Sequence, residues 1–303
     1  MNKIEYYQSM HNNINILKKD KIDIEGDYIC PLCMQKFNEE EVKTILTEED
    51  VPQRSLGGKR IALTCKKCNN TCGAQIDIHL YNAIVSREQR LFLPGTNRRV
   101  RIEKDDRRLN GELRIENDGI IKLLVNTKKN SPQNWENFRS NILIPNEIVT
   151  IEDSKLKKEE RRIAAAILKN AYMLLFAKTG YTFLYDTYYD KIRNQISDPD
   201  IYYLPDRLWT IQQISIPDGI YLTEDNRYRG FFVVYTLRLE FSYRVCVLIP
   251  TPLVPYLAVA KQLQKIEADS SIQVLSLPNL DFLNDLSAIE RLKKWSYGWN
   301  LKF

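Results

Sequence analysis

Two stretches decide the fold of the N-terminal part of the chain: Tyr28-Ile29-Cys30-Pro31-Leu32-Cys33 and Ile61-Ala62-Leu63-Thr64-Cys65-Lys66-Lys67-Cys68-Asn69-Asn70. Each carries a Cys-x-x-Cys pair, Cys30/Cys33 and Cys65/Cys68. In a reducing compartment this spacing reads as a metal site, not as a disulfide framework. Four thiolates suit a structural Zn²⁺ held tetrahedrally, with Zn–S near ~2.3 Å. The first pair reads as a knuckle. The second ends a short apolar strand and opens a helix, the order required by a treble-clef zinc fold. Cys72 and Cys246 have no partner of this kind and read as small core residues.

The segment between the pairs reads Glu48-Glu49-Asp50-Val51-Pro52-Gln53-Arg54-Ser55-Leu56-Gly57-Gly58-Lys59, and Gly73 and Ile76-Asp77 follow the second pair. Over residues about 28–82 the chain resembles the HNH endonuclease superfamily, in the branch closed by four cysteines. Members of that branch read Glu-His-Val/Ile-x-Pro-x-x-Leu-Gly-Gly, then Cys-x-x-Cys-Asn-x-x-x-Gly and often Ile-Asp. The resemblance implies a ββα-metal module in which a hairpin and a helix clamp a catalytic Mg²⁺ or Mn²⁺, distinct from the zinc. It puts Glu49 and Asn69 at the ligand positions and Asp50 where the family has its general-base histidine. A carboxylate of ordinary pKa ~3.9 is a weaker base than an imidazole near ~6.5. Asp50 is then a second ligand or a weak base, with water activated by the metal. The middle asparagine of the family pattern is not evident near Lys59-Arg60-Ile61-Ala62.

Helical spacing of four puts Asn69, Gly73 and Asp77 on one face, and His79 well away from it. His79 and His11, the two histidines, both read as surface residues.

Met34 to Asp50 holds two bases and six acids, net −4, whereas Val51 to Arg101 holds ten bases and two acids, net +8. Positive charge therefore gathers directly after the acidic stretch. Arg54, Lys59, Arg60, Lys66 and Lys67 are the expected phosphate contacts. The expected partner is DNA, with RNA left open.

The chain is 303 residues, 27% charged and 44% hydrophobic, with net charge +5. That composition excludes a disordered chain, and no apolar run reaches the roughly 18 residues a membrane helix needs. The N-terminus has no secretory pattern, so the expected location is the cytoplasm, with no membrane partner.

The fold class expected is α+β, divided as a lead segment (1–27), the zinc module (28–90), a small β-meander with a polar loop (91–150) and an α+β domain (151–303). In the meander, Asn110-Gly111 and Asp118-Gly119 are hairpin signals, and Asn126 to Asn141 reads as a loop. Lys155 to Lys178 reads as a core helix. Leu237, Leu239, Phe241, Tyr243, Val245, Val247 and Ile249 alternate as a strand, and helices are expected near 256–266 and 279–295. This last domain reads as a recognition or scaffolding unit, able to engage a protein partner.

Two functional readings follow. One is a metal-dependent HNH endonuclease hydrolysing DNA phosphodiester bonds, in restriction, phage defence or a mobile element. The other is a zinc module without catalysis, serving nucleic-acid binding or protein interaction.

Overall fold

The computed structural model describes residues 2–19, 27–104, 107–141, 150–153, 156–182, 185–205, 208–211, 215–223, 225–265 and 272–298. The fold is α+β, built of small antiparallel sheets and helices. The chain divides into two compact units: Met1–Tyr81 together with Lys158–Phe303, and Asn82–Lys157. The expected boundaries fall at 27, 90 and 150. The first unit joins the cysteine module to the C-terminal half because one helix of that half packs along the module, as described below.

The first unit begins with α1 (Lys3–Lys19), which buries Tyr7, Met10, Ile14 and Leu17 at a spacing that keeps them on one face. β1 (Tyr28–Ile29) and β2 (Lys36–Phe37) flank the first cysteine pair as a short hairpin. α2 (Glu39–Ile45) starts with a capping box. The Asn38 side chain accepts from the Glu41 amide at 3.0 Å, and the Glu41 carboxylate accepts from the Asn38 amide at 2.9 Å. β3 (Leu46–Val51) and β4 (Lys59–Cys65) form the second hairpin, with a register shift between Glu49 and Asp50. α3 (Lys66–Cys72) runs through a π-helical turn, Gly73–Asp77, into α4 (Ile78–Gln89). Knuckle, hairpin and helix thus follow in treble-clef order.

The second unit holds β5 (Asn97–Lys104), β6 (Arg107–Ile115), β7 (Ile121–Val125), α5 (Pro132–Asn141) and β8 (Thr150–Asp153). Its sheet has the order β7-β6-β5-β8, all antiparallel. Val100, Ile102, Leu109 and Leu113 form its core, against which Leu123, Val125 and Trp135 pack. Two expectations fail here. Asn110-Gly111 is not a turn but lies inside β6, where a Cβ on Gly111 would stand 2.8 Å from Ile102 Cδ1; the glycine is there for close packing. The stretch read as a loop contains α5. Pro132 occupies its first turn, where a missing N–H costs nothing, and the Ser131 hydroxyl accepts from the Asn134 amide at 3.2 Å.

The chain returns to the first unit with α6 (Glu160–Thr179), α7 (Asp190–Ser197), β9 (Trp209–Ile211), β10 (Gly219–Leu222), β11 (Gly230–Arg238), β12 (Ser242–Pro250), α8 (Tyr256–Leu263), β13 (Leu275–Ser276) and α9 (Leu286–Ser296). The sheet order is β13-β10-β11-β12-β9. The alternating run 237–249 is two strands, folded back at Leu239, whose amide donates to the Phe241 carbonyl. β11 is central and buried from Gly230 to Tyr235, so both faces of the sheet are covered there. α6 lies against this sheet, and the Tyr235 hydroxyl donates to the Ile167 carbonyl at 3.0 Å. α9 starts later than expected, at Leu286, because Asp285 caps it by accepting from the Ser287 amide. Among the described residues no helix is long and apolar enough to cross a membrane.

Candidate metal centre and the acidic face of the hairpin

Cys30, Cys33, Cys65 and Cys68 converge, with their sulfur atoms all within 4.8 Å of one another. Cys33 Sγ and Cys65 Sγ are 3.8 Å apart, the edge expected of a tetrahedron of sulfurs about 2.3 Å from a common centre. Backbone amides point at the sulfurs. Cys65 N–H donates to Cys30 Sγ and Cys68 N–H to Cys65 Sγ, both at 3.4 Å. Such donors stabilise thiolate charge. The thiols also polarise one another: hydrogen bonding with Cys33, Cys65 and Cys68 lifts Cys30 well above the ordinary thiol range. The bond from Cys30 draws Cys65 down to about 6. This group can hold a metal ion, and its donor set and spacing fit a tetrahedral thiolate site. Cys72 is buried beside it and Cys246 is half-buried in β12; burial raises both thiols, to about 12 and about 11.

Alternation along β3 sends Thr47 and Glu49 to one side of the hairpin and Glu48 and Asp50 to the other. On the first side, Asn69 of α3 donates from Nδ2 to Thr47 Oγ1 at 2.9 Å and to the Glu48 carbonyl at 3.3 Å. Asn69 therefore ties helix to strand. Glu49 is 3% exposed, and both of its carboxylate oxygens are engaged. Oε2 accepts from Thr64 Oγ1 at 3.0 Å, and Oε1 accepts from Lys169 Nζ at 2.8 Å.

Lys169 comes from α6 and is fully buried; its ammonium also donates to Asp77 Oδ2 at 2.6 Å. Burial opposes the charge on Lys169. Asp77 and Glu49 outweigh it and hold the ammonium's pKa above the ordinary lysine value. Burial likewise raises Asp77, against the pull of Lys169. Two carboxylates and one ammonium thus form a closed ion-paired triad under the hairpin.

α6 holds the module at further points. Arg162 donates to the Gln75 carbonyl in the π-helical turn at 3.3 Å, and Tyr172 donates to the Pro31 carbonyl in the knuckle at 2.9 Å. Residues 162, 169 and 172 stand seven and three apart, which keeps them on one stripe of a helix. Past its end, the Tyr181 hydroxyl donates to the Ile29 carbonyl at 2.7 Å and accepts from the Ile29 amide at 3.0 Å. Lys169, Asp77, Tyr172 and Tyr181 were not among the expected site residues. Two signals were available: Asp77, on one helix face with Asn69, and Lys169, a lone cation between Ile163-Ala164-Ala165-Ala166-Ile167-Leu168 and Ala171-Tyr172-Met173-Leu174-Leu175-Phe176.

The remaining expected residues separate. Glu49 and Asn69 lie on the same side of β3 with different partners. Asp50 is half-buried, and its carboxylate has no ion-pair or hydrogen-bond partner among the described residues. Arg60 is spent on Glu48, at 2.9 Å. Arg54, at the hairpin tip, and Lys59, Lys66 and Lys67 are exposed, the last two flanked by Cys65 and Cys68. His79, expected at the surface, is fully buried, because α4 turns that face inward with Leu80 and Asn82. His11 is half-exposed against Asp27, 3.7 Å away.

The chain matches no protein-family model, no curated protein and no solved structure.

Proposed function

We propose that this protein binds nucleic acid, DNA first, through a Zn²⁺-bearing module of HNH type that no longer holds a catalytic cation. The observation that carries this reading is the position of Lys169 Nζ, 2.8 Å from Glu49 and 2.6 Å from Asp77. A lysine on α6 supplies the positive charge that the carboxylate at position 49 would otherwise take from Mg²⁺ or Mn²⁺. Neither Glu49 nor Asp77 is open to solvent or to a phosphate. Beside this closed interior, Arg54, Lys59, Lys66 and Lys67 remain exposed, the arrangement a phosphate backbone requires. Zinc fits the four-sulfur group by donor type and spacing, and its role is to hold knuckle, hairpin and helix together.

A second reading, a metal-dependent nuclease, is favoured by Asp50. Its carboxylate has no partner among the described residues, and a cation bound there with substrate would be held apart from the Lys169 triad. One experiment separates the two. Purified zinc-loaded protein is titrated with labelled duplex DNA and RNA at 50 and 200 mM salt, and incubated in parallel with supercoiled plasmid and Mg²⁺ or Mn²⁺. Salt-sensitive binding without nicking is the expected result. Nicking that Asp50→Ala abolishes would establish the second reading. Absence of binding at 50 mM salt would remove the first.

A further inference from the structure

The first unit contains a cleft of about 550 Å³ beside the β3–β4 hairpin. It is distinct from the sulfur cluster and from the Lys169 triad. The hairpin lends it Pro52 and Ile61, α6 lends Leu174, and the five-stranded sheet lends Ile220 and Val233. These are aliphatic side chains contributed by three elements. Three cations line the same space: Lys59, Lys178 and Arg238. Lys59 and Arg238 are exposed and have no anionic partner among the described residues. Lys178 is half-buried and gives one hydrogen bond, to the Leu280 carbonyl at 3.3 Å, which leaves donors over. The one acid in the cleft, Asp218, accepts from Thr236 Oγ1 at 2.7 Å and lies 3.5 Å from Arg244 Nε.

The cleft therefore joins an apolar interior to a lining of net positive charge. Its volume falls in the range of small-ligand sites, about 300–1,000 Å³. A ligand that satisfies both halves is weakly polar at one end and anionic at the other, a description that a nucleobase with its phosphate meets. We propose that the cleft binds one nucleotide unit, with the base among the aliphatic side chains and the phosphate against Lys59 and Arg238. Asp218 stands as an acceptor for an amino group on the base. This rests on the nucleic-acid reading above, since the nucleotide is taken to be one turned out of a bound strand; a base must leave its stack before a pocket can enclose it. Lys59 belongs both to the exposed basic surface and to the cleft, so a strand held along the hairpin passes its mouth.

The test uses the full chain with zinc bound. Single-stranded and duplex oligonucleotides carrying 2-aminopurine report a base leaving its stack, and titration calorimetry measures adenosine and cytidine monophosphates. Two variants address the cleft: Leu174→Trp fills it, and the double substitution Lys59→Glu with Arg238→Glu reverses its charge on exposed positions, where folding is preserved. The expected result is a rise in 2-aminopurine emission on binding that both variants remove, with a tenfold or greater loss of oligonucleotide affinity in the charge reversal. Oligonucleotide binding with no emission change, and unaltered in Leu174→Trp, would overturn the cleft and leave the nucleic-acid reading standing. Binding of a monophosphate that Leu174→Trp abolishes, without oligonucleotide binding, would keep the nucleotide site with a free nucleotide as its source and overturn the nucleic-acid reading. Binding of neither would overturn both.

Discussion

Lys169 Nζ lies 2.6 Å from Asp77 Oδ2, fully buried in a stretch of α6 where Asn170 and the Tyr172 hydroxyl are the only other polar side-chain groups between Ile163 and Phe176. A buried charge is tolerated when its partners are in place and becomes costly when they are not. The same ammonium reaches Glu49 at 2.8 Å, so a single side chain neutralises acids from the strand and from the π-helical turn. This links the cysteine module to the C-terminal half energetically as well as in space.

Lys169→Met should destabilise the protein by about 3–5 kcal/mol, because Glu49 and Asp77 are left buried with no counter-charge. Urea unfolding followed by circular dichroism measures this. Adding Glu49→Gln and Asp77→Asn to Lys169→Met should recover much of the loss, since the penalty belongs to the unpaired charges. Lys169→Ala leaves space between two carboxylates, and millimolar Mn²⁺ should then raise its melting temperature while leaving that of the wild type unchanged. A loss below 1 kcal/mol in Lys169→Met would show that water reaches the acids and that the triad is not closed.

The proposed zinc is tested at the other half of the module. Cys33→Ser should lower bound zinc from one equivalent to near none, read by a chelator-release assay. It should also lower the melting temperature, because metal-binding free energy is folding free energy at such a site. Cys72→Ser and Cys246→Ser, outside the four-sulfur group, should retain the full equivalent.

The cysteine centre was legible in the sequence because its geometry is local: two Cys-x-x-Cys pairs, a knuckle and a strand–helix junction suffice to bring the sulfurs together. The fate of Glu49 was not, since it is decided by a residue 120 positions away. A motif names a residue's place on its own hairpin and says nothing of which distant side chain fills the space beside it. Lys169 is a cation in a mostly apolar run, a signal the helix pattern alone left unread, and its partners follow only from how α6 packs. The meander shows the same limit on a smaller scale. Asn-Gly is a turn signal by conformational preference, but at Asn110-Gly111 the crowding from Ile102 accounts for the glycine inside a strand.

Nucleic-acid binding should distinguish free cations from spent ones. Each phosphate neutralised contributes about 0.9 to the slope of log affinity against log salt. Lys66→Ala and Lys67→Ala should each lower that slope by about this amount. Arg60→Ala should change it less, because Arg60 already pairs with Glu48 at 2.9 Å. Equal effects at all three positions would show that Arg60 abandons Glu48 on binding.

Stability should fall at alkaline pH, and the sign follows from two kinds of group. The pKa of Lys169 is raised in the fold, so its contribution is complete below the ordinary lysine value near ~10.4 and is lost as pH rises through the folded value. Burial holds Tyr28, Tyr172, Tyr181, Tyr189 and Tyr235 protonated past the ordinary tyrosine pKa near ~10, with Tyr172 at about 12. The unfolded chain releases these protons first, so each group lowers stability by up to about 1.4 kcal/mol per pH unit above pH ~10. Urea midpoints at pH 8, 10 and 11 should be level at first and then drop steeply. Tyr235→Phe should reduce the drop, since it removes one titrating group.

Two glycines in the module should respond in opposite directions to the same substitution. At Gly58 a Cβ would lie 1.3 Å from the Pro52 carbonyl oxygen, a backbone atom that cannot move without reopening the 52–58 turn. Gly58→Ala should therefore cost about 4 kcal/mol, the class of backbone strain, and should displace Lys59, lowering nucleic-acid affinity with it. At Gly73 no atom lies within 4 Å of the added Cβ, and the backbone is right-handed helical, with φ −55° and ψ −46°. Alanine there only reduces the freedom of the unfolded chain and improves helix propensity, so Gly73→Ala should stabilise by about 0.5–1 kcal/mol. Thermal melts of both variants with zinc bound measure the pair. If Gly73→Ala is the damaging one, a close approach to that helix face, by a bound strand or another part of the chain, must be present in solution.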